Sequence, residues 1–292
     1  MHKTSSHRNI SLFATIALGL TIPFNMGGCA DVTGPIGGKF GGAFGGSQGA
    51  NLVDTGVKIV KNESISEKDE RAMGESVAMA VTTKYPVVKN EKLNRYVALI
   101  GLTLANASSR PDGNWLFAVV DTNEVNAFSG PDGYILITRG LIAQLHDEAE
   151  LAGVLAHEMS HVLDQHGMQA VKQAGRANIL ASALSQADQR FKAFSEATDG
   201  LVDAVLVKGY GRDQEDEADA DAVKLLLATG YDPTSYLHFI ERMAGQQHGN
   251  SSIMSTHPGA ADRAERIRGQ IAALKPLKPG AVVRERFEAS SR

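Results

Sequence analysis

The sequence predicts an α+β domain that is mostly helical and carries a small antiparallel sheet. Apolar residues recur at helical spacing through most of the chain from Ser66 onward. Only two short runs, 115–120 and 134–138, are rich in β-branched and aromatic residues, and Ser129-Gly130-Pro131-Asp132-Gly133 supplies turn chemistry between them. No self-similarity at solenoid periods interrupts this pattern. The 292 residues are 43% apolar and 21% charged, enough for a packed core and against wholesale disorder. One domain over 51–280 is expected.

The first helix is expected after Ser66, with Ser66 and Asp69 as its cap and Met73, Val77 and Val81 on one stripe. Tyr85-Pro86 ends it. A second begins near Glu91 and aligns Leu93, Val97, Ile100 and Leu104. Beyond the strand-like runs, Asp147 with Glu150 three residues on resembles a capping box and opens a helix reaching about His166. A long helical stretch over 169–207, interrupted around Asp199-Gly200, follows. The next helix starts near Asp213 and stops at Gly230, a C-cap glycine with Pro233 beyond it. Helices over 233–244 and 260–274 come last, and 281–292 reads as a C-terminal tail.

The N-terminus has a different character. Lys3 and Arg8 precede an apolar run over 10–24, then small residues ahead of Cys29. Basic, apolar and small in that order is an export signal, read as 1–28. The run of about 15 residues is shorter than the roughly 20 that span a bilayer, which favours cleavage. Cys29 is the only cysteine, so no intramolecular disulfide forms. Residues 29–50 include GPIGGKFGGAFGG, too rich in glycine to repay its ordering entropy, and read as a tether. A formal charge of −4 without Lys/Arg blocks gives no electrostatic footprint for nucleic acid.

Met26-Gly27-Gly28-Cys29 resembles the lipobox of bacterial lipoproteins, with Met26 where that motif usually has Leu. The resemblance implies that Cys29 is acylated and anchors the chain to a membrane. Ala30 rather than Asp after it implies the outer membrane, on its periplasmic side. The alternative is cleavage by an ordinary signal peptidase, with Cys29 incidental.

The chemistry concentrates in His157-Glu158-Met159-Ser160-His161, inside an expected helix. Residues four apart share a helix face with Cβ atoms about 6 Å apart, so both imidazoles can reach one metal ion. Glu158 points about 100° round from His157, beside the metal rather than at it, in the general-base position. Leu151, Val154, Leu155, Val162 and Leu163 would bury most of this helix, against two merely solvated histidines. A catalytic zinc takes a third protein ligand, for which Glu215 in Arg212-Asp213-Gln214-Glu215-Asp216-Glu217-Ala218-Asp219 is the candidate. Asp219 lies four residues on, placed to orient a ligating histidine. Ala218 and Ala222 would let the two helices approach closely. A solvated acidic helix start explains the same carboxylates without a metal.

HEMSHVLDQH followed by RDQEDEAD resembles the HtpX, BepA and LoiP family of zinc metallopeptidases, which also contains the CaaX prenyl proteases. The resemblance runs over 65–269, through Asn126-Ala127-Phe128, Gly133-Tyr134-Ile135, Thr138-Arg139-Gly140-Leu141, the run from Asp147 to Ala156, and Ser255-Thr256-His257-Pro258. It implies a zincin-like fold, one zinc per chain held by His157, His161 and Glu215, and a histidine, His257, that reaches the site. His257 would either fill the fourth zinc position or donate to the oxyanion; as a turn residue it would only cap the next helix. Arg263 reads as a solvated helix arginine or a second charge stabiliser. His166, nine residues past His157, would lie half a turn from the metal face and reads as structural. His146, His238 and His248 have no spacing argument.

Unlike membrane-embedded relatives, the 169–207 stretch is broken by Lys, Arg, Asp and Glu, so no span is expected there. With thirty or so residues after His257 in this sequence, the C-terminal repeats of BepA-like members are not expected within it. The expected function is zinc-dependent endopeptidase of the bacterial envelope. Unfolded or misassembled polypeptides are the expected partners, bound along the sheet edge at Asn126, Ala127 and Phe128, with envelope assembly machinery a further one. The rivals are a latent peptidase, a non-hydrolytic chaperone or assembly-factor lipoprotein, and a metal-free structural lipoprotein. The first rival is compatible with every residue, whereas loss of Glu158 or of a ligand would have favoured the others, and all are present.

Overall fold

The structure is a computed structural model and describes residues 66–170, 208–245, 252–274 and 280–291. The export signal, Cys29, the glycine-rich segment and most of the stretch expected to be helical over 169–207 lie outside the described residues.

Helix α1 (Glu67–Lys84) starts at a full capping box, with the Asp69 N–H donating to Ser66 Oγ and the Ser66 N–H to Asp69 Oδ2. It buries Met73, Val77 and Val81. Helix α2 (Glu91–Ala107), capped by Asn90, buries Leu93, Val97, Ile100 and Leu104. Both buried stripes are those expected from the apolar spacing.

The sheet has strands β1 (Leu116–Val120), β2 (Ala127–Gly130) and β3 (Tyr134–Thr138) in the order β1-β3-β2. It is mixed, which corrects the expected antiparallel pairing. β1 and β3 run parallel with Leu116 opposite Tyr134, while β2 and β3 are antiparallel with Ala127 opposite Ile137. The Pro131-Asp132-Gly133 turn does reverse the chain, but the strand it joins to β3 is β2, which was hidden in the supposed loop. Asp132 takes a φ of 63° in that turn and is tied down by Arg71 Nε at 3.0 Å.

After a short helix α3 (Arg139–Ile142), helix α4 (Glu148–Leu163) runs through the middle of the domain. Asp147 caps it by accepting the Glu150 N–H at 2.9 Å. Leu151, Leu155 and Met159 are fully buried, each contributing on the order of 2 kcal/mol relative to exposure. A helix buried on every side is a core helix. Helix α5 (Arg212–Thr229) packs along it, with Ala218 and Ala222 fully buried, and α6 (Pro233–Gly245) meets it at Gly153. There a Cβ would stand 2.5 Å from the Tyr236 ring, so glycine lets that ring lie on α4.

Helices α7 (Ser252–Thr256), α8 (Ala260–Ala273) and α9 (Arg284–Ser291) complete the described residues. The segment expected as a tail packs back on the domain. The Asp232 N–H donates to the Ala281 carbonyl at 3.1 Å, Phe287 is buried, and Arg286 joins Tyr96 and Tyr231 on the buried carboxylate of Glu148. No helix among the described residues is long and apolar enough to cross a membrane.

Candidate functional site

The two histidines of α4 face α5. His157 and His161 are 4% and 1% exposed, with Nε2 atoms 3.1 Å apart, as four-residue spacing on one helix dictates. Glu215 enters from the first turn of α5, where the chain is set by Gln214 Oε1 accepting the Gly211 N–H at 3.1 Å. Its carboxylate lies 3.4 Å from Nε2 of each histidine.

His257 closes the group from the turn after α7. Its Nδ1 is 3.2 Å from His157 Nε2 and 3.0 Å from Glu215 Oε1, and its Nε2 is 3.3 Å from Glu158 Oε1. Gly209 makes that placement possible. It has a φ of 70° and a Cβ there would stand 1.8 Å from the Thr256 carbonyl. The Tyr210 N–H then donates to that same carbonyl at 3.3 Å.

These four residues can hold a metal ion, since one donor atom from each lies within 4.8 Å of all the others. Neighbouring ligands of a tetrahedral zinc stand about 3.3 Å apart, given metal–ligand bonds of about 2.0–2.1 Å. The separations of 3.0–3.4 Å among the imidazole nitrogens and one or other Glu215 oxygen, for every pair but His161 and His257, are close to that edge length. Beside the group, Glu158 Oε2 is buried with no hydrogen-bond partner, an unusual state for a carboxylate oxygen unless chemistry needs it. Two imidazoles and a carboxylate are the borderline ligand set that suits zinc.

Asp219 lies one turn beyond Glu215, its Oδ1 3.0 Å from His157 Nδ1. It accepts that ring's proton and leaves Nε2 free to ligate. The Tyr236 hydroxyl donates to the same oxygen at 2.7 Å. Arg263 overturns the expectation of a solvated arginine. It is 3% exposed, forks onto both oxygens of Asp219 at 2.7 Å and reaches Glu215 Oε2 at 2.8 Å. Helix α8 packs on α5, so the face of α8 carrying Arg263 points inward.

Electrostatics follow from this packing. Burial and the Arg263 charge favour a neutral His157, but the carboxylates of Asp219 and Glu215 outweigh them and push it up to about 9. Burial holds His161 well below the usual histidine range. Burial also opposes charge on Glu215 and Asp219. His257 and Arg263 overcome it at Glu215, and Arg263 then His157 at Asp219, so both stay ionised.

Strand β2, which carries Ala127 and Phe128, is one of the two edge strands of the sheet and packs against α4. The Asn126 side chain accepts from Thr256 Oγ1 at 3.1 Å, and the Val125 carbonyl from the Ile253 N–H at 2.9 Å, tying the start of this strand to the His257 segment. An apolar cleft borders His157 and Glu158, walled by Val154, Phe239, Ile240, Met243 and Ile253. His166, read as structural, is buried against His161 instead of half a turn away. His146 and His238 are exposed.

Residues 91–271 match the model of Peptidase family M48. Metalloprotease YcaL of Escherichia coli (strain K12) is 28% identical over 228 residues, covering 77% of this chain and 84% of YcaL. Metalloprotease LoiP of the same organism is 26% identical over 225 residues, covering 76% of this chain and 88% of LoiP. A putative beta-barrel assembly-enhancing protease of Vibrio cholerae serotype O1 is 27% identical over 229 residues, 75% of this chain and 47% of that protein. The chain thus spans about half the length of the beta-barrel assembly-enhancing proteases it matches. With the family match spanning both histidines, Glu158, Glu215 and His257, the chain belongs to the metallopeptidases of family M48.

Proposed function

We propose that the chain is a zinc-dependent endopeptidase of the bacterial envelope that degrades unfolded or misassembled polypeptides. The observation that carries this reading is the convergence of four donors within 4.8 Å of one another beside a buried, unpartnered Glu158 oxygen. In this reading His157, His161 and Glu215 are the ligands. Zinc, when bound, polarises the scissile carbonyl and makes the attacking water more acidic.

Glu158 takes the proton from that water and passes it to the leaving amine. Asp219 holds His157 in the ligating tautomer, and Arg263 keeps Asp219 and Glu215 ionised while offsetting their charge. Substrate lies extended along β2 near Asn126, Ala127 and Phe128, through backbone hydrogen bonds that read little side-chain identity. That mode suits unfolded chains. The relatives named as beta-barrel assembly-enhancing proteases support an envelope setting, with export by the 1–28 signal and anchoring through acylated Cys29 at the outer membrane. Envelope assembly machinery is a further partner in this reading.

A latent resting state is the second reading, favoured by His257 standing among the donors and against Glu158. Displacement of His257 would then free both, and the same imidazole could donate to the oxyanion.

The test is degradation by the full zinc-loaded chain of one outer-membrane β-barrel protein in urea-unfolded and folded forms, with a chelator control. Cleavage of the unfolded form alone, abolished by chelation, is expected. Failure to cleave either form by wild type and by His257→Ala alike would refute the peptidase reading.

A further inference from the structure

His166 is outside the donor group, and the mechanism above gives it no task. Its side chain is fully buried, with Nδ1 2.8 Å from Nδ1 of His161 and Nε2 3.3 Å from Oε2 of Glu217 on α5. A continuous helix would have turned it to the opposite face. Instead α4 ends at Leu163, Asp164 caps it, and Gln165 takes a φ of 56°, which carries His166 back against His161.

Two ring nitrogens 2.8 Å apart share one proton, and the rest of the site decides which ring owns it. His161 turns its Nε2 to the donor group, 3.1 Å from His157 and 3.4 Å from Glu215, so that nitrogen must keep its lone pair to bind a cation. The proton of neutral His161 then sits on Nδ1 and is donated to Nδ1 of His166. That leaves the proton of His166 on Nε2, aimed at the Glu217 carboxylate. One tautomer assignment satisfies every contact. Tyr210 stacks on the face of the His161 ring, with centroids 4.0 Å apart and planes 24° from parallel, so the ring is held on a face and an edge.

We infer that His166 is a positioning residue: it accepts the Nδ1–H of His161 and so holds that ring in the tautomer and orientation that ligate through Nε2, with Glu217 fixing its own tautomer. His157 receives this support directly from Asp219, whereas His161 receives it through one intervening imidazole linked to a carboxylate at the surface. The inference rests on the reading of His161 as a metal ligand.

The probe is Zn2+ alone, titrated into the full metal-free chain against a chromophoric chelator, with melting of the metal-free protein measured alongside. In His166→Asn the Oδ1 takes the place of Nδ1 as acceptor, and zinc affinity should stay within about threefold of wild type. In His166→Phe the volume is kept and the acceptor is lost, and affinity should fall about 10–100-fold, the usual cost of removing such a partner. The inference is overturned if folded His166→Phe binds zinc like wild type, or if Asn and Phe lose affinity equally. Should the Phe variant not fold, nitrogen NMR on zinc-loaded wild type decides the same point. His166 must show Nε2 protonated and Nδ1 bare, and the reverse pattern overturns the inference. A wild-type chain that binds no zinc removes the metal reading itself, a different result from wild-type binding that ignores position 166.

Discussion

Replacing Arg263 by methionine removes a buried cation from between two buried carboxylates while roughly keeping the volume. In the folded protein Arg263 makes a two-pronged contact with Asp219 at 2.7 Å and a third contact with Glu215 at 2.8 Å, at 3% exposure. Breaking a buried pair by deleting one partner costs about 3–5 kcal/mol, because the other charge is left uncompensated. For a domain of this size that is about 6–20 °C in melting temperature. The loss should be largest in the metal-free protein near pH 7. Asp219 and Glu215 are held low by Arg263 and their histidine neighbours, so the stabilisation Arg263 lends them is present above the unfolded carboxylate pKa of about 4 and lost as pH falls. The gap between wild type and Arg263→Met should therefore close toward acid pH. Arg263→Lys, keeping the charge but not the fork, should recover part of the loss. Chelator-treated thermal melts across pH check this, and a loss under about 1 kcal/mol at pH 7 would refute the assignment of Arg263 as the counter-charge.

Three further outcomes are expected. His157 sits at about 9 against an ordinary 6.5, so in the metal-free protein its stabilisation is fully present below pH 6.5 and is lost as pH rises through about 9. Roughly 3 kcal/mol is at stake, and zinc binding at pH 7 should release about one proton, read by calorimetry in buffers of different ionisation enthalpy. Gly209→Ala combines a φ of 70° with a Cβ 1.8 Å from the Thr256 carbonyl, so stability should fall by about 2 kcal/mol or more, measured by urea unfolding. The cleft beside Glu158 should favour an apolar residue next to the scissile bond. Met243→Ala should shift that preference toward larger side chains by about tenfold in kcat/KM across a peptide series.

Much of the site was legible because its information is local. Spacing alone brings His157 and His161 to one face and turns Glu158 aside, and Glu215 with Asp219 repeats the logic on the next helix. Arg263 and His166 were not legible, since their roles depend on how α8 docks and on one left-handed residue at Gln165. Neither leaves a periodic mark in the sequence. The sheet shows the same division. β1 and β3 carry β-branched runs that mark them as strands, whereas β2, Ala-Phe-Ser-Gly, is buried along its whole length, short and unalternating. Without β2, the sequence makes the 131–133 turn look like a link from β1 to β3, and two parallel strands look antiparallel.

The most direct test of the metallopeptidase centre is zinc content and unfolded-casein cleavage measured on the same preparations of wild type and Glu158→Gln. One zinc per chain is expected in both and cleavage in wild type alone, with kcat falling at least about 100-fold in the variant because the ligands remain and the base is gone. Cleavage retained by Glu158→Gln, or a wild-type chain that cleaves without zinc, would contradict the assignment of that centre.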